Sequence, residues 1–387
     1  MAKAAEANTE KSKVVPAKGT PGNEKQIKSL ATYYLLGKSG LRVSPLSLGT
    51  ATFGEVWEGH WSSDKDTAKA IVKRYLEAGG NFLDTADGYH EGQSEEITGE
   101  LVHELTNRDE VVLATKYTFG TRAGDPNGGG NGRKHMLESV EKSLKRLKTD
   151  YIDLYWVHNW DTMTPAEEVM SSLNSLVQSG KVRYIGLSNP PAWYLGRAQT
   201  LAEWRGWEKI AAIQMEYSLA VRNIEFEYTD AAIELGIGIC PWSPLANGLL
   251  TGKYKRENGQ IKGDGRLAST WITDPHMDAS GDKAMAMVDV LVEVAGQLGR
   301  TPAQVALNWV TNQPGVVSTI IGASKLTQLE DNINALEFEI PTALMEQLNQ
   351  ASEPKLQYPY FFHTGDLHKN VSAQTRTLKT PKGYFKR

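Results

Sequence analysis

Four side chains in this sequence have the types and spacing to do chemistry. Asp84 ends the apolar pair Phe82-Leu83 abruptly, and Tyr89 follows five residues on. Lys116 closes the apolar run 111–115, and His158 closes the run 151–157. Singly, each has an ordinary explanation. A carboxylate after a strand can cap a helix, a lysine can snorkel its ammonium to the surface, and a lone histidine or loop tyrosine is usually structural. Jointly they make a proton-donating unit. A free tyrosine has a pKa near ~10 and gives up its proton poorly at neutral pH. An adjacent ammonium favours the phenolate, a carboxylate holds that ammonium, and a histidine can hydrogen-bond the same substrate oxygen. Such a unit protonates a carbonyl oxygen while something else attacks the carbon. No side chain donates a hydride, so the reaction requires a cofactor.

The elements that must gather these residues are legible from hydrophobic periodicity. Eight short apolar, β-branched runs recur at 46–48, 81–83, 111–115, 151–157, 182–187, 210–215, 237–242 and 316–321. Helical stripes separate them: Leu137, Val140, Leu144 and Leu147 after the third, Val169, Leu173, Leu176 and Val177 after the fourth, and Val288, Leu291, Val292, Ala295 and Leu298 after the seventh. Strand–helix alternation means a parallel sheet with helices outside. Eight repeats within about 290 residues predict an α/β fold, a closed (β/α)8 TIM barrel. A doubly wound sheet would want G-x-G-x-x-G after its first strand, and none is there. The Gly128–Gly130 cluster follows the third strand and reads as a flexible loop. Runs at 33–37 and 41–44 around Lys-Ser-Gly predict an N-terminal β-hairpin that closes the barrel bottom. A long Gly- and Asp-rich loop, 246–282, follows strand seven, and a further helix is expected at 342–350. The division is a disordered tail over 1–30, the barrel over 31–353 and a basic C-terminal extension over 354–387.

In such a barrel the active site lies at the carboxyl ends of the strands. Those ends read Gly49-Thr50, Asp84, Lys116, His158-Asn159, Ser188-Asn189, Gln214 to Tyr217, Trp242-Ser243-Pro244 and Gly322-Ala323-Ser324-Lys325. A polar or ionisable group terminates nearly every strand, so all converge on one mouth.

Composition narrows the class. With 40% apolar and 23% charged residues the chain is an ordinary globular protein, and no stretch approaches the ~20 apolar residues that span a bilayer. Residues 1–30 carry six Lys and three Glu, and residues 354–387 carry five Lys and two Arg against one Asp. The whole chain is at −4, so the body between the tails holds −13, which argues against nucleic acid as a partner. The single cysteine, Cys240, sits in an apolar run and reads as a core residue; one cysteine fits a reducing, cytoplasmic compartment. The N-terminus has no apolar signal core.

The motifs DTADGY, ATKY and DLYWVHNWD, with KVRYIGLSN, QMEYS, CPWSPLANGLLTGKY and IGASKLTQLEDN, resemble the aldo-keto reductases over about residues 33–350. The similarity is to the branch that contains potassium-channel β subunits and many bacterial and fungal reductases. The resemblance implies an NADPH/NADP+-dependent carbonyl reductase, running in reverse as an alcohol dehydrogenase, with NADH less favoured. It implies that Tyr89 donates the proton, helped by Lys116 and Asp84, and that His158 orients the carbonyl. Thr50 and Asp84 would border the cofactor, and Ser188, Asn189 and Gln214 would hold the nicotinamide amide. Tyr217 would stack on the ring. Trp242, Ser243, Pro244, Leu245 and Lys253 would track the pyrophosphate and ribose, with Arg266 nearby. Gly322, Ser324 and Lys325 would meet the 2′-phosphate, with Gln328 and Asn332 at the adenine. A helix starting after Gly322-Ala323-Ser324 suits an anion on physical grounds, although Glu330 and Asp331 stand close by. Channel subunits carry Trp where Ala51 follows Thr50, and they replace the histidine present here as His158. The alternative is a cofactor-holding regulatory subunit. A metal enzyme is disfavoured because His90, His103 and His158 have no Glu or Asp at a spacing that would gather metal ligands on one strand or helix. Trp57, Trp61 and Trp160 either pack beneath loops or line an aromatic substrate pocket. A homo-oligomer is left open.

Overall fold

The computed structural model describes residues 29–57, 62–257, 260–262 and 282–363. Strands β1 (Tyr34–Leu35) and β2 (Arg42–Val43) form an antiparallel hairpin. The barrel strands follow as β3 (Leu46–Gly49), β4 (Phe82–Asp84), β5 (Val112–Tyr117), β6 (Ile152–Val157), β7 (Val182–Ser188), β8 (Ile210–Glu216) and β9 (Gly238–Trp242). A small ribbon, β10 (Lys255–Glu257) with β11 (Gln260–Lys262), lies in the long loop, and β12 (Thr319–Gly322) is the last barrel strand. The helices are α1 (Lys65–Glu77), α2 (Gln93–Leu105), α3 (Arg133–Arg146), α4 (Ala166–Gln178), α5 (Ala192–Arg205), α6 (Tyr228–Leu235), α7 (Asp282–Leu298), α8 (Pro302–Thr311), α9 (Leu326–Ile333) and α10 (Thr342–Ala351). Among the described residues, no helix is long and apolar enough to cross a membrane.

Eight parallel strands run in the order β12-β3-β4-β5-β6-β7-β8-β9. The ring closes between its ends: Ile239 N–H donates to Gly315 O and Val317 N–H to Ile239 O, each at 2.9 Å. The expected (β/α)8 barrel is the observed fold. Its eighth apolar run, read as 316–321, divides its pairing. Val316 pairs with Ile239 of β9 through bonds made by Gly315 and Val317, and Thr319 to Gly322 pair with β3. Most strands also reach further than their apolar runs, since the backbone ladder continues through Asp84, Lys116, Ser188 and Glu216. Hydrophobicity stops where the site begins, but hydrogen bonding does not.

The hairpin seals the barrel floor. Lys38 N–H donates to Gly236 O at 2.7 Å. Gly37, at φ +59°, lies so near Ala211 O and Gly236 O that a Cβ would come within 2.5 Å of the former. Leu30, Tyr34 and Leu36 are buried beside it. Of the predicted segments, residues 1–28, 263–281 with Arg266, the Trp61 position and 364–387 lie outside the described residues.

Inside the barrel, large and small residues alternate across strands. Trp156 of β6 stands in register with Gly186 of β7, whose missing Cβ would lie 2.3 Å from Trp156 Cε3. A Gly186→Ala variant is therefore expected to lose about 1–3 kcal/mol through overpacking, read as a lower urea midpoint. An unchanged midpoint would mean that the indole moves aside freely.

Candidate active site

The centre of the mouth is a buried ammonium whose every proton is used. Lys116 is fully buried, and its Nζ donates to Asp84 Oδ1, to Thr85 O at 2.7 Å and to Tyr89 Oη at 3.2 Å. An ammonium has three protons and no acceptor, so these contacts satisfy it completely. Asp84, 1% exposed, spends its other oxygen on Trp156 Nε1 at 3.0 Å and Gln214 Nε2 at 3.1 Å. Burial alone would lower the lysine, but the charges of Asp84 and Tyr89 and its bonds to both outweigh that and hold it above its ordinary value. It stays a cation beside the phenol.

Tyr89 opens a short turn, Tyr89–Gly92, at the end of β4. The turn passes through left-handed His90 (φ 48°), Glu91 (φ 57°) and Gly92 (φ 97°), which sets the half-buried phenol over the strand ends. His158 faces it edge-on, with ring centroids 5.9 Å apart. The histidine is fixed through its backbone, its N–H donating to Tyr117 O at 3.0 Å and to Thr118 Oγ1 at 3.1 Å. Loss of water and then the Lys116 charge hold its imidazole well below the usual histidine range, so it is neutral at physiological pH. Its Nδ1 has no partner among the described residues.

Phe119 and Trp57 flank this pair. Phe119, half-exposed at 51%, packs edge-on against His158 at 4.7 Å. Trp57 stacks on His90 at 4.6 Å and meets the Tyr89 ring at 6.1 Å. Trp160 packs against Trp193 at 5.7 Å, and Trp193 is 61% exposed. Phe119 and the Trp156 N–H were not singled out by sequence reasoning. A sequence signal existed for Phe119, which follows the carboxyl end of a barrel strand; Trp156 becomes visible only through the β5–β6 register that sets it beside Lys116.

The expected cofactor residues fall into two groups. At the ends of β7 to β9, Asn189 Nδ2 donates to Ser188 Oγ at 3.1 Å and His158 O at 3.4 Å. Asn189 Oδ1 accepts from Trp242 Nε1 at 3.1 Å. Gln214 shares the Asp84 carboxylate. The chain then turns through left-handed Ser243, Ala246, Asn247 and Gly248, with Pro244 buried, Leu245 half-buried and Lys253 exposed over the Tyr254 ring. At the end of β12, Ser324 donates from N and Oγ to Gln328 Oε1 at 2.8 and 3.2 Å, and Asn332 Nδ2 donates to Gly322 O at 3.2 Å. Gly322 is exposed, and a Cβ there would meet nothing within 4 Å. Lys325 is exposed and makes no ion pair with the described residues.

Two of the expected residues are packed in. Tyr217 is 1% exposed, donates to Glu225 Oε1 at 2.7 Å and packs edge-on against Trp309 at 5.6 Å. Trp242, at the end of β9, is half-buried. Thr50 is fully buried and its hydroxyl bonds Ser94 Oγ at 2.8 Å, which braces α2.

Comparison with known proteins agrees with this geometry. The sequence model of the aldo/keto reductase family matches residues 45–353. Norsolorinic acid reductase B of Dothistroma septosporum is 34% identical over 338 residues, covering 85% of this chain and 83% of that protein. The uncharacterized oxidoreductase YrpG of Bacillus subtilis is 36% identical over 327 residues, 82% of this chain and 94% of its own length. A probable voltage-gated potassium channel subunit beta of Oryza sativa subsp. japonica is 37% identical over 308 residues, 79% and 91% respectively. The chain belongs to the aldo/keto reductase family and is an NAD(P)H-dependent oxidoreductase.

Proposed function

We propose that this protein reduces aldehydes or ketones to alcohols with NADPH, with Tyr89 as proton donor. The observation that carries the reading is the fully satisfied Lys116 ammonium, which holds Asp84 on one side and the Tyr89 hydroxyl on the other. As the phenolic proton leaves, the ammonium stabilises the charge that appears on Oη without reorganising. Neutral His158 hydrogen-bonds the carbonyl oxygen and keeps it beside Tyr89. Trp156 and Gln214 keep Asp84 aimed at the lysine.

The residues present fit a nicotinamide cofactor. Ser188, Asn189 and Gln214 present amide and hydroxyl groups at the mouth, Trp242 offers the ring face, and the left-handed turn over Ser243–Gly248 leads outward. Gly322 leaves open space for a close backbone approach, and the N-terminus of α9 with Lys325 suits a 2′-phosphate. The two acids that would have argued for NADH are engaged elsewhere. Glu330 takes Arg74 Nε at 2.6 Å and Nη2 at 3.1 Å, and Asp331 takes Thr301 Oγ1 at 3.1 Å and Gln304 Nε2 at 2.7 Å. The cofactor, when bound, supplies the hydride.

The aromatic rim of Trp57, Phe119, Trp160 and Trp193 suits bulky or aromatic carbonyls, and the relatives named norsolorinic acid reductases support a reductase role. The rice relative supports a second reading, a channel-associated subunit. Incubation of the protein with NADPH and a panel of carbonyls separates the two, since failure to oxidise NADPH above background with every carbonyl would favour the subunit.

A Tyr89→Phe enzyme is expected to lose about 10²–10⁴-fold in kcat/KM while NADPH still binds by fluorescence titration; equal loss of both would make Tyr89 structural. Lys325→Ala should weaken NADPH about tenfold and leave NADH unchanged, and unaltered cofactor selectivity would remove Lys325 from the phosphate site. Lys116→Met should cost about 3–5 kcal/mol of stability by stranding Asp84 in the barrel. The double variant Asp84→Asn with Lys116→Met should recover part of that loss in chemical denaturation, whereas additive losses would mean the two groups are not coupled.

A further inference from the structure

A second ionisable layer lies on the other side of the sheet from the lysine. Side chains alternate along a strand, and the ladder continues past β4, with Thr85 N–H donating to Ala114 O at 2.9 Å and Asp87 N–H to Lys116 O at 3.1 Å. Asp84 therefore points into the barrel, and Thr85 and Asp87 point outward to the helices. Thr85 Oγ1 accordingly meets Ser94 Oγ of α2 at 3.1 Å. The same alternation sends Lys116 in and Thr115 and Tyr117 out, with Tyr155 beside Thr115 in register. Glu95 of α2 is fully buried in this layer, accepting from Thr115 Oγ1 at 2.5 Å and Arg146 Nε of α3 at 2.6 Å.

Asp87 is the unmatched member. It is 3% exposed, and neither carboxyl oxygen has a hydrogen-bond partner among the described residues. The hydroxyls of Tyr117 and Tyr155, whose rings stack at 5.2 Å, are likewise buried and without partners there. Arg146 is engaged by Glu95, and the protons of Lys116 are all spent on the opposite side of the sheet. An ionised Asp87 puts a second carboxylate beside Glu95 with no cation of its own. A neutral Asp87 removes that charge from the buried layer. Burial first, then Glu95, push this carboxyl up to about 7, against the opposing pull of Arg146, of the nearby Gly88 N–H, whose geometry falls short of a hydrogen bond, and of Lys116.

We propose that Asp87 is a positioning residue: as a carboxylic acid it seats the loop that carries Tyr89, and its ionisation unseats that loop and curtails proton donation. This rests on the reading of Tyr89 as proton donor. Only Gly88 separates the two residues, and the tight left-handed turn that follows leaves little slack to absorb a displacement at 87. The groups facing Asp87 are Glu95 on α2, Arg146 on α3, Lys116 and Tyr117 on β5 and Tyr155 on β6. Because the folded state raises Asp87, its contribution to stability is full below the unfolded carboxyl value and is lost as pH rises through about 7.

The test compares kcat/KM and thermal midpoint for the full chain and its Asp87→Asn variant between about pH 4 and about pH 9. The wild type should lose carbonyl reduction with an inflection near neutrality. Asp87→Asn should keep its plateau about one pH unit further, and its midpoint should gain on the wild type from about pH 4 to about pH 7 and hold that lead above it. Parallel rate profiles with a difference in midpoint that is the same from about pH 4 to about pH 9 overturn the proposal. Should the variant fail to fold, carboxyl NMR of the aspartate-labelled wild type decides: one aspartate titrating near neutrality supports the role, and none titrating above about pH 6 overturns it. An active Tyr89→Phe enzyme refutes the proton-donor reading itself, whereas an inactive one with parallel Asp87→Asn profiles refutes only the role of Asp87.

Discussion

The Lys116–Asp84 pair inside the barrel is the interaction on which the site depends. Taking two ions out of water costs several kcal/mol each after relaxation, and a pair at zero and 1% exposure recovers that only with complete hydrogen bonding. Completeness is what the surrounding strands supply. β4 brings the carboxylate and the Thr85 carbonyl, β6 the indole N–H, and β8 the Gln214 amide. Four separate parts of the chain are thus tied to one charge pair. The barrel tolerates the ions because its parallel strands present their inward side chains at matched height, and Gly186 makes room for the Trp156 ring that would otherwise not fit.

The sequence made the barrel legible because its strands are short, apolar and separated by helical stripes, and that pattern survives without any knowledge of contacts. All eight runs became strands. Boundaries were less legible at the carboxyl ends, where Asp84, Lys116 and Ser188 look like terminators but remain in the ladder. Asp84, Lys116 and His158 were visible because each ends an apolar run, and Tyr89 because it follows Asp84 by five residues. The packing of Tyr217 was not legible. A tyrosine near a strand end can turn to the mouth or to the helices, and its Glu225 and Trp309 contacts are seen only in the fold. The Thr50 hydroxyl is similar, since its bond to Ser94 joins residues far apart in the chain.

Charge placement around α9 illustrates how a sequence ambiguity is resolved by partners. Glu330 and Asp331 sit within a few residues of Lys325, and linear proximity alone lets them cancel it. Arg74 on α1 clamps Glu330 through two nitrogens, and Asp331 reinforces the capping box of Thr301 and Gln304 that starts α8. The acids are spent on holding neighbouring helices together, which leaves the Lys325 charge at the helix start uncompensated by them. The proposed preference for a 2′-phosphate follows from that division of labour more than from the lysine by itself.

Period-two alternation along β5 joins the two ionisable layers of this molecule. Lys116 faces the mouth, and the residues on either side of it, Thr115 and Tyr117, face the helices, so neighbouring positions of one strand belong to opposite electrostatic environments. Inside, every charge is matched. Outside, Glu95 and Arg146 match each other and Asp87 is left over. The segment 84–89 crosses between these environments, inward at Asp84, outward at Asp87 and back over the mouth at Tyr89. A fully compensated charge pair fixes one end of that segment, and an uncompensated acid governs the other. This segment is the direct covalent path between protonation of the outer layer and the phenol.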